Sequence, residues 1–378
     1  MMQYPPAEVG MAVADVDTPA LLVDLDAFEH NLKTMADAVA ASGVKLRAHS
    51  KTHKCPVVAR RQMALGAVGA CCQKVSEAEA MVNGGVTDVL VSNQIVGRTK
   101  LRRLCALASQ AKIAVCADDS GNVDDLDAAA GEAGITLSVL VEIDVGANRC
   151  GVQPGDEALA LAKKIDAAPN LRFGGLQSYQ GRAQHIRDFD ERRAAIESAV
   201  AMTRDTVDLL ARNGLTCDIV GGAGTGTYQF EAASGVYNEL QAGSYAFMDA
   251  DYRLNLKQGG GFIDEFENAL FVYATVMSKP GDTHAAVDAG LKAYSVDSGL
   301  PVLRDFPELE FAGASDEHGK ILLNPAFNDS NKSLHVGDKV FLIPGHVDPT
   351  VNLYDWYVCY RGDRVEAVWP ITARGALQ

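Results

Sequence analysis

From about residue 20 to residue 255 the chain alternates between two textures. Short apolar, β-branched runs end in polar or glycine-rich corners, and each is followed by an Ala-rich amphipathic stretch. The runs at 44–49, 69–73, 88–93, 113–118, 137–144, 173–179, 217–222 and 239–246 read as strands bounded by turn residues. The stretches at 27–41, 76–83, 100–111, 123–132, 157–167 and 192–212 carry apolar residues at helical spacing. About eight β/α units in roughly 230 residues is the count and size of a TIM-type (β/α)8 barrel, an α/β fold. A doubly wound open sheet is the alternative. It calls for a G-x-G-x-x-G turn after the first strand, and the sequence has none there.

After residue 260 the texture changes. The segments 270–278, 284–288, 339–343, 356–360 and 365–369 are strand-like, with Pro, Gly, Asp and Asn between them and no long helical period. The expected organisation is a barrel over residues 26–258 and a mostly β C-terminal domain over 259–378. Residues 1–25 join the β domain, because T-P precedes an apolar run at 15–23.

Composition narrows the function classes. A net charge of −15 argues against binding nucleic acid or an anionic membrane through charge alone. No apolar run reaches the ~20 residues needed to span a bilayer. The opening M-M-Q-Y-P-P-A-E-V-G lacks the basic and apolar regions of a signal peptide, so a cytoplasmic location is expected. The eight cysteines form no C-x-x-C pair and lie mostly in apolar runs, which predicts reduced, buried thiols.

In a barrel, chemistry sits at the C-terminal ends of the strands. The first strand ends in K-L-R-A-H-S-K-T-H-K, with Arg47, His49, Lys51, His53 and Lys54 within eight residues. A bare strand end in water would explain the cluster, but in an acidic chain so many cations call for an anionic partner. A lysine there can form a Schiff base, and neighbouring cations would depress its pKa. The seventh strand runs into G-G-A-G-T-G-T, Gly221 to Thr227, at the place where this architecture often binds phosphate. A glycine-rich turn alone is a weak motif. Paired with the lysine, it points to a phosphorylated aldehyde cofactor, pyridoxal phosphate.

In the β domain, P-G-H-V-D-P-T sets His346 and Asp348 two apart. On an extended strand both would face one side and could share a metal. Asp316, Glu317 and His318 in S-D-E-H-G form a second polar group or a plain turn. His30, His284 and His335 read as structural or solvated.

These motifs resemble the fold type III pyridoxal-phosphate enzymes, in the branch of D-threonine aldolase and D-serine dehydratase. The resemblance rests on D-T-P-A, R-A-H-S-K-T-H-K, C-C-Q-K-V-S-E-A-E, E-I-D-V-G-A-N-R-C-G-V, G-G-A-G-T-G, E-L-Q-A-G-S-Y-A-F-M-D, V-D-A-G-L-K, S-D-E-H-G and H-V-D-P-T, in order along nearly the whole chain. It is nearest to the D-threonine and β-hydroxyaspartate aldolases. It implies that Lys51 is the Schiff-base lysine, Arg149 faces the cofactor's phenolic oxygen, and Tyr179 lies beside the ring. Gly224, Thr225, Gly226, Gly243 and Ser244 would hold the phosphate, and His185 would be the base on the substrate's β-hydroxyl. His346 and Asp348 would bind a divalent cation, Mn2+ or Mg2+. One departure is visible, Ala48 where the family usually has Pro, which bears on backbone stiffness rather than chemistry.

The implied activity is a metal-dependent carbon–carbon lyase (aldolase). It would cleave D-configured or erythro β-hydroxy-α-amino acids, D-threonine-like or β-hydroxyaspartate, to glycine plus an aldehyde or glyoxylate. The alternative is a dehydratase of D-serine or 3-hydroxyaspartate giving an oxo acid and ammonia; the related dehydratases carry H-x-C at the metal strand, where this chain has Asp348. A carrier of the cofactor without catalysis would be the bare barrel, and the β domain argues against it. The family also implies a homodimer in which one subunit's β domain closes the partner's barrel.

Overall fold

The computed structural model describes residues 4–323 and 334–378. Strand β1 (Ala20–Asp24) precedes the barrel strands β2 (Lys45–His49), β3 (Gly69–Cys72), β4 (Asp88–Gln94), β5 (Lys112–Ala117), β6 (Leu137–Glu142), β7 (Leu171–Gln177), β8 (Ile219–Gly222) and β9 (Glu239–Leu240). Strands β2 to β9 pair in parallel and close on themselves, β9 onto β2 through Lys45–Glu239 and Leu46–Leu240. Helices follow the strands and pack around the barrel, so the expected TIM-type barrel with a second, mostly β domain is the observed fold. The eighth predicted strand is shorter than expected. After Leu240 the chain leaves the sheet and curls into a 3-10 turn at Ser244–Ala246, and Gly243 abuts the His49 carbonyl with no room for a side chain.

The barrel interior is layered, as the period of two along β2 requires. Leu46 and Ala48 face the surrounding helices in the main core, while Arg47 and His49 point inward. At the N-terminal end, Arg47 donates to Glu239 at 2.7 Å and to Asp88 at 2.6 Å. Burial works against this guanidinium's charge, but Glu239 and Asp88 outweigh it and raise its pKa. Above it lies an apolar plug of Cys71, Leu90, Cys116 and Leu140. Above that, Gln177 and Gln241 exchange hydrogen bonds at 2.7 and 2.8 Å. Arg47 therefore braces the floor and does not tune a ligand at the mouth.

The remaining strands are β10 (Leu270–Ser278), β11 (His284–Val287), β12 (Val302–Leu303), β13 (Glu310–Ala314), β14 (Gly319–Leu322), β15 (Lys339–Ile343), β16 (Trp356–Arg361) and β17 (Arg364–Pro370). With β1 they form a nine-stranded sheet in which β1 lies between β10, antiparallel, and β16, parallel. Among the described residues no helix is long and apolar enough to cross a membrane; Met1 to Gln3 of the N-terminal stretch lie outside them. All eight cysteines are free, and all but Cys150 and Cys217, which are partly buried, are buried.

Arg47→Met leaves the Glu239 carboxylate buried without its counter-charge. Chemical denaturation should show a loss of about 3–5 kcal/mol, while the folded fraction keeps its capacity to bind ligand at the mouth. A loss confined to ligand binding would place Arg47 in the site instead.

Candidate active site

At the C-terminal mouth is a cavity of 280 Å³ lined by His49, Lys51, Thr52, Arg149, Tyr179, Gly224, Thr225, Gly243, Ser244 and Tyr252, with the Gln177–Gln241 pair at its base. The structure thus brings together residues from the ends of five barrel strands, β2, β6, β7, β8 and β9. Lys51 lies just past β2, in a turn whose Ser50 carbonyl accepts the His53 and Lys54 amides, and its side chain lines the cavity.

Lys51 Nζ lies 2.8 Å from Asp348 Oδ2, in the β domain. Asp348 raises the lysine's pKa, more than burial lowers it. This reverses the expectation that neighbouring cations depress it. The other cations of the cluster are accounted for elsewhere: Arg47 on the floor, and Lys54 buried against Glu77 at 3.1 Å. His49 and His53 are neutral. Burial, then Lys51, drives His49 well below its usual value, and burial lowers His53 to about 3. His53 accepts the Cys55 amide through Nδ1, and His49 meets Gln73 and Ser92 through Nε2. Lys54 and His53 are therefore structural, and only His49 touches the cavity.

Arg149 lies with its guanidinium 5.4 Å from the Tyr179 ring centre and reaches Glu142 at 4.0 Å. The glycine loop is tied down from behind. Thr225 Oγ1 accepts the Tyr245 amide, and Thr227 accepts from Gln184 and donates to the buried Glu231. A side chain at Gly224 would collide with Gln184 at 2.4 Å, and one at Gly243 with the His49 carbonyl at 2.6 Å. Among the described residues, the amides of Thr225, Gly243 and Ser244 are bonded to no other protein group. Free amides at Thr225, Gly243 and Ser244, beside two glycines whose positions leave no space for a Cβ, fit a phosphate. Gly226 differs from expectation: its amide is taken by Gln184 Oε1 at 3.0 Å and it lies outside this cavity. It shapes the loop rather than offering a donor. Thr52, buried with its hydroxyl unpartnered, lines the cavity and was missed by sequence reasoning.

His185 closes a 3-10 turn, Arg182–His185, and flanks the cavity rather than lining it. Its Nδ1 meets Asp251 Oδ2 at 2.6 Å and its ring packs on Tyr252 at 5.7 Å. With Nδ1–H donated to the carboxylate, Nε2 keeps its lone pair. His346 and Asp348 are not on an extended strand. His346 caps the N-terminus of the short helix Val347–Val351, and Asp348 lies in its first turn. His346 Nδ1 meets Asp297 Oδ2 at 2.7 Å, which again leaves Nε2 free. Burial opposes the charge on Asp348, but Lys51 and then His346 bring its pKa down to about 2. Neither of its oxygens has a well-directed hydrogen bond. Among the described residues no group of three or more His, Cys, Asp or Glu forms a closed metal cage. An imidazole and an under-bonded carboxylate suit a hard cation that keeps water and substrate as its other ligands.

S-D-E-H-G is the turn between β13 and β14, with Ser315 N bonded to the His318 carbonyl and Glu317 paired with Lys292. Asp249 ends the E-L-Q-A-G-S-Y-A-F-M-D motif but was given no role, and Asp251 and Asp297 carried no sequence signal, because all three act on histidines or amides far away in the chain.

Comparison with known proteins follows the same division. The family described as "Alanine racemase, N-terminal domain" matches residues 23–251, and "Putative serine dehydratase domain" matches 269–360. A 3-hydroxy-D-aspartate aldolase of Paracoccus denitrificans is 48% identical over 374 residues, covering 98% of this chain and 95% of that protein. A D-threonine aldolase of an Arthrobacter species is 46% identical, covering 98% and 96%. The crystal structure of D-threonine aldolase from Filomicrobium marinum superposes with a TM-score of 0.95 at 51% identity and full coverage of both chains. A D-threo-3-hydroxyaspartate dehydratase of a Delftia species is more distant, at 28% identity over 94% of this chain and 97% of that protein.

His53 predicts a pH dependence of stability. The folded chain holds it neutral down to about pH 3, whereas the unfolded chain protonates it near 6.5. Its contribution is therefore full above pH 6.5 and is lost as pH falls below it, by about 1.4 kcal/mol per pH unit. In His53→Asn, whose Oδ1 can still accept the Cys55 amide, the urea midpoint should fall less between pH 7.5 and 5.5 than in the wild type. Equal falls would contradict the buried neutral ring.

Proposed function

The chain belongs to the alanine racemase N-terminal domain family and, within it, to the D-threonine and 3-hydroxy-D-aspartate aldolases, carbon–carbon lyases that use pyridoxal phosphate. On that premise we propose that it cleaves D-configured β-hydroxy-α-amino acids, D-threonine-like or β-hydroxyaspartate, to glycine plus an aldehyde or glyoxylate. The observation that carries this reading is the meeting of Lys51, at the barrel mouth, with Asp348 of the β domain at 2.8 Å.

Lys51 is the residue to which the cofactor attaches. Gly224, Thr225, Gly243 and Ser244 cradle its phosphate, with Gly226 shaping the loop. Arg149 and Tyr179 flank its ring. When bound, pyridoxal phosphate supplies an electron sink for the pair released at Cα. His346 and Asp348 would hold a divalent cation, Mn2+ or Mg2+, which would supply a Lewis acid that makes the β-hydroxyl more acidic. His185 Nε2 takes the hydroxyl proton as the Cα–Cβ bond breaks, and Asp251 steadies the resulting imidazolium. An unassisted aliphatic hydroxyl is far too weak an acid to lose its proton near neutrality, so base and cation are both required. Asp348, in place of a thiolate, favours these harder ions and the aldolase over the dehydratase.

The homodimer implied by the family is the proposed assembly. The free thiols suit the reducing cytoplasm.

A panel of D- and L-β-hydroxy amino acids, with and without Mn2+, tests the reaction by product analysis. Glycine and an aldehyde should appear from D-substrates only, in a Mn2+-dependent manner, and Lys51→Ala should abolish them. An oxo acid with ammonia in place of glycine would establish the dehydratase.

A further inference from the structure

Two of the proposed functional groups come from different places, His185 from the loop after β7 and His346–Asp348 from the turn after β15. One short segment touches both. Residues 249–251 run beside 344–347, with the Ala250 amide donating to the Pro344 carbonyl at 3.0 Å and the Asp251 amide to the Gly345 carbonyl at 3.3 Å. The fully buried Asp249 accepts the Tyr252 amide at 2.9 Å through Oδ1 and the Val347 amide at 3.1 Å through Oδ2. Val347 is the first helical residue after His346 and immediately precedes Asp348. Two residues on, Asp251 takes the His185 imidazole at 2.6 Å. Arg187 holds Asp251 from behind, through its carboxylate and, at 2.8 Å, its carbonyl.

We propose that residues 249–251 are a two-armed positioning element, in which Asp249 sets the His346–Asp348 turn and Asp251 sets His185. The inference rests on the metal-and-base reading given above. A carboxylate is needed at Asp249 because it faces two N–H donors. An amide there offers one acceptor and turns an NH2 against the other donor, so the helix start must shift. At Asp251 the carboxylate fixes which ring nitrogen of His185 is free. The two arms are separable: Asp249 makes no contact with His185, and Asp251 touches the metal turn through backbone alone.

The test uses cofactor-loaded enzyme, with Mn2+ binding followed by electron paramagnetic resonance and turnover measured separately. Asp249→Asn should weaken Mn2+ by about 10–100-fold and leave the cofactor absorbance intact. Asp251→Asn should leave Mn2+ affinity unchanged and lower kcat by about 10–100-fold at constant KM, as loss of a steered base requires. Val347→Pro guards against misfolding of the first variant. Proline is well tolerated at the first helical position, and His346 already has the extended backbone, φ −142° and ψ 124°, that precedes proline comfortably. It removes the same hydrogen bond from the other side and should weaken Mn2+ similarly, with the double variant no worse than the weaker-binding single. Wild-type Mn2+ affinity in both Asp249→Asn and Val347→Pro overturns the Asp249 arm. Weakened Mn2+ or unchanged kcat in Asp251→Asn overturns the other. Absence of Mn2+ binding by the wild type overturns the metal reading and the Asp249 arm with it.

Discussion

The contact between Lys51 and Asp348 is the constraint around which the two halves of the molecule are arranged. It joins the end of the first barrel strand to a short helix of the β sheet almost 300 residues later. Each side chain alone would be an unbalanced charge at a partly buried mouth. Together they hold the lysine protonated and the carboxylate ionised, so the same pair that stabilises the free chain presents both groups to one cavity. The helix bearing Asp348 is itself fixed by contacts with residues 249–251, so the meeting depends on backbone as well as charge.

The rest of the cationic cluster shows how a chain keeps such a site specific. Arg47 is paired with Glu239 and Asp88 and Lys54 with Glu77, and His49 and His53 are neutral through burial. That leaves Lys51 facing the cavity with a partner that other ligands can compete for. Beneath it the barrel goes from an ion pair at the floor, through an apolar plug, to the Gln177–Gln241 pair. Burial raises the pKa of the plug's Cys71 and Cys116 thiols, and the floor carboxylates are paired with Arg47, so the groups that face a ligand lie at the loop end.

Much of this was legible from periodicity. The alternation of strand and helix gave the barrel, and the strand end carrying Lys51 was visible in it. Lysine plus glycine loop then located the cavity. What could not be read was anything decided by long-range charge or by a local departure from regular structure. The pKa of Lys51 goes up because of a residue no window would include. His346 and Asp348 lie at a helix start, so the face-sharing argument for an extended strand does not apply to them. Gly226 lies in the glycine run, yet its amide is consumed by Gln184. Asp251 and Asp297 orient histidines 66 and 49 residues away in the chain, and their neighbours in sequence carry no hint of it.

The proposed chemistry stands on Lys51 as the point of attachment. Reductive trapping of the cofactor-loaded enzyme with borohydride, followed by peptide mass mapping, examines that directly. The pyridoxyl group should be found on the peptide containing Lys51 and on no other lysine. A modified lysine elsewhere, or an unmodified Lys51 in catalytically active protein, would contradict the account.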